Sequence, residues 1–204
     1  MPHEATVFVV DDDEAVRESL SALLDASGFH VKAYQSAAAF LANDQLPQKA
    51  CLITDIRMPD MDGLELQIEL KRRGSRLPVI VITGHGDVPL AVKAMKAGAV
   101  EFLEKPYDDQ TLLDSLSLAL SQAGNQSGGE QTASGVREKL ATLTPREREV
   151  FDLVVVGKLN KVIAYELSIS PRTVEIHRGR LMHKMGARNL ADLVRMGLAA
   201  EAGR

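Results

Sequence analysis

Residues 50–65 read A-C-L-I-T-D-I-R-M-P-D-M-D-G-L-E, and this stretch decides the fold of the first half of the chain. It begins with an apolar run that ends in one carboxylate, Asp55. It continues with a turn rich in Pro, Asp and Gly that leads into a helical pattern. The pattern predicts a buried strand that places Asp55 on the rim of a sheet.

Three other apolar runs also lead into polar residues. Two acids follow the run 7–10, a hydroxyl ends the run 78–83, and an ammonium group follows the short run 102–103. In chain order these residues are Asp11, Asp12, Thr83 and Lys105. Because the carboxyl ends of parallel strands lie at one edge of a sheet, we expect these side chains to lie close to Asp55.

Strand and helix patterns alternate through the first 122 residues. Strands are predicted at 6–10, 29–34, 50–54, 78–83 and 101–104, each followed by an apolar helical pattern. The continuous β-branched run 78–83 predicts a strand in the centre of the sheet. Five strands alternating with five helices predict an α/β fold with a five-stranded, doubly wound parallel sheet of the flavodoxin-like type.

Composition predicts a boundary after this sheet, so that residues 1–122 form the first domain. Residues 123–136 contain four glycines and almost no apolar residue larger than alanine, which predicts a flexible linker. The 204-residue chain has a net charge of −4, but residues 1–136 carry −9 and residues 137–204 carry +5. A basic second domain suggests a polyanion as its partner.

Residues 137–204 are predicted to form an all-α domain of four helices. Thr144 and Glu147 form a capping-box pattern around Pro145 at the start of its first helix. Residues 160–185 read as a helix, a tight turn and a second helix rich in basic residues. A run of charges on a helix is usually a solvated face, but the short first helix and the tight turn favour a DNA-binding helix-turn-helix.

The clustered acids of the first domain require a compensating charge. Two like charges about 4 Å apart cost on the order of 4 kcal/mol at an effective dielectric of about 20. A hard divalent cation with oxygen ligands and open water positions offsets this repulsion, which predicts Mg²⁺ (or Mn²⁺). A metal, the Lys105 ammonium, the Thr83 hydroxyl and a protruding Asp55 carboxylate suit phosphoryl transfer, with the carboxylate attacking in line.

The motifs V-V-D-D-D, L-I-T-D-I-R-M-P-D-M-D-G, V-I-V-I-T-G-H-G-D and F-L-E-K-P follow one another in this order. Together they resemble the receiver domains of two-component response regulators, over residues 5 to about 122. The resemblance implies a CheY-like fold in which Asp55 accepts a phosphoryl group from a partner histidine kinase. It also implies direct metal ligation by Asp12, Asp55 and the backbone carbonyl of Arg57, with Asp11 acting through water.

The same resemblance assigns roles to the remaining groups near Asp55. Thr83 and Lys105 would contact the phosphate, and the peptide bond between Lys105 and Pro106 would be cis. Phe102 matches the rotating aromatic residue of the family and would form the switch with Thr83. Because Phe102 lacks a hydroxyl, this switch would not use a phenol hydrogen bond. His85 fits no ligand set and is interpreted as a loop residue that affects access to the site.

Residues 140–200 resemble the four-helix LuxR/GerE DNA-binding domain through L-T-P-R-E-R-E-V and N-K-V-I-A-Y-E-L-S-I-S-P-R-T-V-E-I-H-R. The resemblance implies that the helix 171–185 enters the major groove of promoter DNA. The candidates for base contacts are Glu175, Ile176, His177 and Arg178, and Thr173 is a further DNA-binding candidate. The candidates for phosphate contacts are Lys161, Arg172, Arg180 and Lys184. Many members have lysine in place of Glu175, and a glutamate there would accept from cytosine N4 or contact no base.

The pairing of these two halves is similar to that in the response regulators of nitrogen fixation. The similarity implies a transcription activator that is not an enzyme, with an oxygen-sensing sensor histidine kinase as partner. Phosphorylation is expected to reshape a face of the first domain, to favour a homodimer on DNA and to bring contact with RNA polymerase. The sequence has no apolar run near 20 residues and no secretory signal pattern, so we expect a cytoplasmic protein without a membrane partner.

Two alternatives from other functional classes remain. A haloacid-dehalogenase-type phosphohydrolase would use Asp11 as nucleophile with Asp13, a threonine and a lysine, although the residues after Asp13 and the lack of a later acidic pair disfavour it. A degenerate receiver would act only as a protein-contact module. The single cysteine, Cys51, lies in a predicted buried strand and is interpreted as a core residue and not as a nucleophile.

Overall fold

The computed structural model describes residues 5–42, 46–47, 49–84, 88–124 and 129–202 of the chain. Two compact units are present, one formed by residues 1–86 with 97–126 and the other by residues 87–96 with 127–204. His85, which we interpreted as an access residue, lies outside the described residues. None of the described helices combines the length and apolar character that a membrane crossing needs.

The first unit contains a five-stranded parallel sheet with the strand order β2-β1-β3-β4-β5. The strands are β1 Thr6–Val10, β2 His30–Tyr34, β3 Ala50–Asp55, β4 Val79–Thr83 and β5 Glu101–Glu104. The helices that alternate with them along the chain are α1 Glu14–Ala26, α2 Ala37–Leu41, α3 Gly63–Arg72, α4 Val88–Ala97 and α5 Asp109–Gly124. All of α4 except its last residue is grouped with the second unit. The predicted five-stranded α/β fold is confirmed, and β4 lies inside the sheet as expected.

The strand register brings the predicted polar residues to one edge. Val10 of β1 pairs with Thr54 of β3, so the residues that follow them, Asp11 and Asp55, are neighbours. Asp55 pairs in turn with Ile82, one residue before the end of β4. Because all the strands are parallel, their carboxyl ends share this edge of the sheet.

The core of the first unit lies against the central strands, whose residues are buried along their whole length. Alternate strand residues point to opposite faces of a sheet, so each face carries its own apolar layer. One layer packs against residues of α1 and α5 and includes Val7, Val9, Cys51, Ile53, Leu24 and Leu116. Cys51 is fully buried, which confirms its interpretation as a core residue.

Side chains cap the start of several helices, and the predicted capping box is confirmed. The side chain of Asp13 accepts from two backbone N–H groups at the start of α1. Thr144 and Glu147 form the predicted capping box, and Ser170 accepts from the backbone N–H of Thr173.

Asn160 is of a residue type that often caps a helix, but it does not cap one here. Leu159 is the N-cap of its helix and makes no side-chain cap. The side-chain oxygen of Asn160 instead accepts from Arg178, because the tertiary contact uses the amide that would otherwise cap.

The second unit contains α6 Gly129–Ala141, α7 Pro145–Val155, α8 Asn160–Glu166, α9 Pro171–Met185 and α10 Leu190–Ala202. We predicted four helices here and a flexible linker over residues 123–136, whereas the structure has α6 beginning at Gly129. Val136 and Leu140 of α6 are buried in the core of this unit. Burial of these two side chains stabilises a helix that composition alone does not favour.

Candidate functional site

Lys105, which directly follows β5, connects two acids at the carboxyl edge of the sheet. Its ammonium group donates to Asp11 Oδ2 at 3.0 Å and to Asp55 Oδ1 at 2.9 Å. Both acids are buried, with 3% of Asp11 and 8% of Asp55 exposed. At such low exposure the lysine offsets the repulsion between two carboxylates. The structure thus brings together three of the residues that we predicted at this edge.

Each carboxylate is also held by a backbone N–H group. The N–H of Arg57 donates to Asp55 Oδ2 at 2.6 Å, and the N–H of Asp13 donates to Asp11 Oδ1 at 2.9 Å. Arg17 of α1 donates to the backbone carbonyl of Asp11 at 2.7 Å. Both side chains therefore have fixed orientations, because each is hydrogen-bonded through both of its oxygens.

The electrostatics of the cluster keep Lys105 charged. Burial by itself lowers the pKa of the Lys105 ammonium, but hydrogen bonds to Asp55 and Asp11 outweigh this effect and raise the pKa above its ordinary value. Burial raises the pKa of the Asp11 carboxyl, although the N–H of Asp13 and Lys105 oppose the rise. The site therefore contains one permanent cation between two acids.

Thr83 and Phe102, the predicted switch residues, lie on the neighbouring strands β4 and β5. Thr83 ends β4 and is fully buried, and its backbone carbonyl accepts from the N–H of Lys105 at 2.8 Å. Phe102 lies on β5 opposite Val81 and is half-buried. The peptide bond between Lys105 and Pro106 is cis, as the family resemblance implied. These positions suit a hydroxyl and an aromatic side chain that respond to a group bound at Asp55.

The start of α3 lies unusually close to the end of β3. The N–H of Gly63 donates to the carbonyl of Ile56 at 2.9 Å, and a Cβ atom at Gly63 would lie 2.2 Å from the carbonyl oxygen of Asp55. The neighbouring Asp62 caps α3 in a capping box with Glu65. The Asp-Gly pair before a helical pattern was the available signal for this close approach.

The donor set at this edge suits a hard cation. Every candidate ligand is an oxygen: the buried Asp11 and Asp55, the exposed Asp12 on the rim, and the backbone carbonyl of Arg57. Oxygen ligands of this kind match Mg²⁺ or Mn²⁺. Within the described ranges, no group of three or more His, Cys, Asp or Glu side chains is placed to hold a metal ion. Direct ligation by Asp12 and Arg57 therefore stays a prediction.

The second candidate surface is the outer face of α9. Its inner face is buried through Val174, Leu181 and Met185. The residues exposed on the outer face include Arg172, Glu175, Ile176 and Arg180. Ile176 is 49% exposed, which is unusual for a large aliphatic side chain. This face therefore combines two cations with an apolar group, as a surface that reads a DNA groove would.

Of the other predicted DNA-contact residues on α9, Arg178 and Thr173 already have hydrogen-bond partners, and His177 is partly buried. Arg178 donates to Asn160 Oδ1 at 2.7 Å, and burial lowers the pKa of its guanidinium. The hydroxyl of Thr173 lies 2.8 Å from that of Ser170. His177 is half-buried, and its Nδ1 atom is buried without a hydrogen-bond partner among the described residues. Sequence reasoning did not anticipate that Asn160 orients Arg178.

The predicted phosphate-contact residues also divide into exposed residues and a residue that already has hydrogen-bond partners. Lys161 is exposed on α8. Lys184 instead donates to Glu147 Oε2 at 2.7 Å and to the carbonyl of Thr142 at 3.3 Å. The hydrogen bond from Lys184 lowers the pKa of the buried Glu147 carboxyl to about 2. In this structure the ammonium group of Lys184 therefore makes hydrogen bonds within the second unit.

Comparison with known proteins gives matches to both halves of the chain. Residues 7–117 match the response regulator receiver domain, and residues 141–197 match the bacterial regulatory proteins of the luxR family. The transcriptional regulatory protein FixJ of Azorhizobium caulinodans is 50% identical over 200 residues, covering 98% of this chain and 95% of that protein. FixJ of Rhizobium meliloti is 50% identical over 198 residues, covering 97% of both chains. The solved structure of full-length FixJ from B. japonicum has a TM-score of 0.57 at 44% identity and covers 98% of each chain.

Proposed function

Because the chain belongs to the two-component response regulators that join a receiver domain to a LuxR-type DNA-binding domain, we propose that Asp55 is its phosphoacceptor. We further propose that phosphorylation of Asp55 controls promoter binding by the second unit. This domain pair implies a partner histidine kinase and promoter DNA. The observation that carries the proposal is the Lys105 ammonium group between the buried Asp11 and Asp55 carboxylates.

The chemistry follows from the positions of these groups. A carboxylate oxygen of Asp55 attacks the phosphorus of a phosphohistidine on the kinase, the P–N bond breaks, and the imidazole leaves and takes up a proton. Lys105 neutralises the oxygens of the moving phosphoryl group, and the Thr83 hydroxyl donates to one of them. Receiver domains bind Mg²⁺ for this reaction, and here Asp11, Asp12, Asp55 and the Arg57 carbonyl would hold it, adding positive charge at the same oxygens.

The phosphoryl group then changes the contacts of Lys105. In the unmodified protein Lys105 donates to Asp55 Oδ1, and the added phosphate provides a stronger acceptor at that position. Thr83 moves toward the phosphate and Phe102 follows, which reshapes a face of the receiver and favours a homodimer. The protein is consumed as an acceptor in this scheme and does not turn over as an enzyme.

The target genes and the kinase are proposed from the relatives. Half of the residues are identical to those of two FixJ proteins over nearly the whole chain. We assign to this regulator the activation of nitrogen-fixation genes in the cytoplasm, through contact with RNA polymerase. Its kinase would be an oxygen-sensing histidine kinase of the FixL type.

Mass spectrometry tests the phosphoacceptor. Full-length protein incubated with Mg²⁺ and acetyl phosphate is expected to gain one phosphoryl group on the peptide that contains Asp55. Asp55→Asn abolishes the gain, and Asp25→Asn, a change of the same type at an exposed position on α1, preserves it. Label on Asp11 would instead support the phosphohydrolase. No label from either acetyl phosphate or a phosphorylated histidine kinase would support the contact module.

A second measurement tests the switch. Phosphorylated wild-type protein is expected to dimerise and to bind DNA with a steeper salt dependence than Asp55→Asn, because a dimer contacts more phosphates than a monomer. Sedimentation velocity and DNA binding at several salt concentrations measure the two effects. Equal behaviour of the two proteins would refute control through Asp55.

A further inference from the structure

The C-terminal end of α9 is held by a lysine from a distant part of the chain. Lys139 of α6 donates from its ammonium group to the backbone carbonyl of Met185 at 2.9 Å. Met185 is the last residue of α9, so its carbonyl belongs to the group that has no partner within the helix. A cation at this end also interacts favourably with the helix dipole. Lys139 therefore acts as a C-terminal cap supplied by another helix.

A second lysine, Lys184 on α9 itself, contacts the junction between α6 and α7. Lys184, in the last turn of α9, donates to Glu147 at the start of α7 and to the carbonyl of Thr142 just after α6. Glu147 is 3% exposed, so this ion pair is largely withdrawn from water on the carboxylate side. The end of α9 is thus fixed to the α6–α7 junction by two ammonium groups.

The helix that carries Lys139 is part of the core of the second unit. Val136 and Leu140 are 4% and 7% exposed and belong to the same apolar cluster as Leu181 and Met185 of α9. Lys139 lies three residues after Val136, so it projects beside this buried stripe. α6 is also the first described helix after α5, the last helix of the first unit. The position of α9 therefore depends on where α6 packs.

We propose that Lys139 is a positioning residue for DNA recognition, which sets the direction of α9 by fixing its C-terminal end to α6. This inference rests on the proposed DNA-binding function. If the C-terminal end is released, α9 tilts about its first turn, which the Ser170 cap holds. Glu175, on the outer face of α9, lies five residues after Ser170, or about 7.5 Å along the helix, so a tilt of about 10° displaces it by about 1.3 Å, which is enough to break a hydrogen bond to a base.

The competing explanation is that Lys139 touches DNA phosphate directly. A phosphate contact contributes to the salt dependence of binding on any sequence, with a slope of about 0.9 for each contact. A positioning residue changes the geometry of base contacts, so it affects the preferred sequence more than an unrelated one. The salt slope and the ratio of the two affinities therefore separate these roles.

The experiment uses full-length protein phosphorylated with acetyl phosphate. The probes are the duplex that wild-type protein selects from a random library and a scrambled duplex of equal length and composition. We expect Lys139→Met, which keeps the alkyl stem, to weaken binding to the selected duplex about tenfold and to the scrambled duplex less than about twofold, with an unchanged salt slope. Lys139→Arg, which retains the cation, should bind both duplexes within about twofold of wild type.

Lys161→Met, at an exposed predicted phosphate contact on α8, provides the comparison. It should weaken both duplexes equally and lower the salt slope by about 0.9. If Lys139→Met behaves like Lys161→Met, or leaves the affinity ratio at its wild-type value, the positioning role is wrong. Failure of wild-type protein to select any duplex would instead refute the proposed DNA-binding function, and the inference would fall with it.

Amide hydrogen exchange provides a readout that does not depend on DNA. Lys139→Met is expected to accelerate exchange at Gly186 and Ala187, whose N–H groups donate to carbonyls in the last turns of α9. Exchange at Val174, in the first turn, should stay at the wild-type rate. Equal acceleration at both ends would indicate a general loss of stability and would overturn the positioning role, as would wild-type exchange at both ends.

Discussion

A single methyl group added at Gly63 tests the geometry around Asp55. In Gly63→Ala the new Cβ would lie 2.2 Å from the carbonyl oxygen of Asp55 and 3.1 Å from the Cα of Ile56, and both are backbone atoms. The first separation must grow to at least 3.0 Å. Neither atom can rotate away, so the start of α3 must move relative to β3, which also strains the hydrogen bond from Gly63 to Ile56.

The free-energy cost of this displacement can be estimated from substitutions that overpack a protein core. Overpacking a close-packed interior typically costs about 1–3 kcal/mol, and we expect Gly63→Ala to destabilise the first unit by at least this amount. Because the backbone that moves carries Asp55 and the N–H of Arg57 that orients it, we also expect slower phosphoryl uptake.

Two assays and one matched variant check this reasoning. Because the chain has two units, urea unfolding is monitored by hydrogen exchange of peptides from the sheet, which measures the stability of the first unit separately. The rate of labelling by acetyl phosphate reports the site. Gly84→Ala is the control, because a Cβ there meets no atom within 4 Å, and its stability should stay within about 0.5 kcal/mol of wild type. Equal stability and equal labelling rates for both variants would refute the close-contact argument.

Two further predictions follow from pKa shifts. Lys184 lowers the pKa of Glu147 from 4.5 to about 2, so this carboxylate stabilises the second unit above about pH 4.5 and loses that contribution as the pH falls toward 2. We expect Glu147→Gln to lower the free energy of unfolding by about 1 kcal/mol at neutral pH. The free energy of unfolding measured with urea should then fall less steeply as the pH is lowered, and an unchanged fall would contradict the ion pair. Burial raises the pKa of the Cys51 thiol, so iodoacetamide should modify it only in denaturant, and rapid modification of native protein would show that it is accessible.

The site around Asp55 could be predicted because its residues follow strand ends. Asp11 and Lys105 directly follow strands and Asp55 ends one, and a parallel sheet places such positions at one edge whatever the details of packing. The contacts of the predicted DNA surface could be predicted only in part. Periodicity identifies a basic helix, but it does not show that Lys184 and Arg178 are held by Glu147 and Asn160, because such partners lie far apart in the chain.

The sequence by itself determined the parallel sheet, the polar residues at its strand ends, the Thr144–Glu147 capping box and the basic helix after a tight turn. These features depend on local periodicity and on residues within a few positions of one another. Only the tertiary structure decided that α6 is a helix, that Gly63 approaches Asp55, and that Lys139 caps α9. These contacts join segments up to 46 residues apart. Their energies come from burial and close approach, which exist only once the segments are packed together.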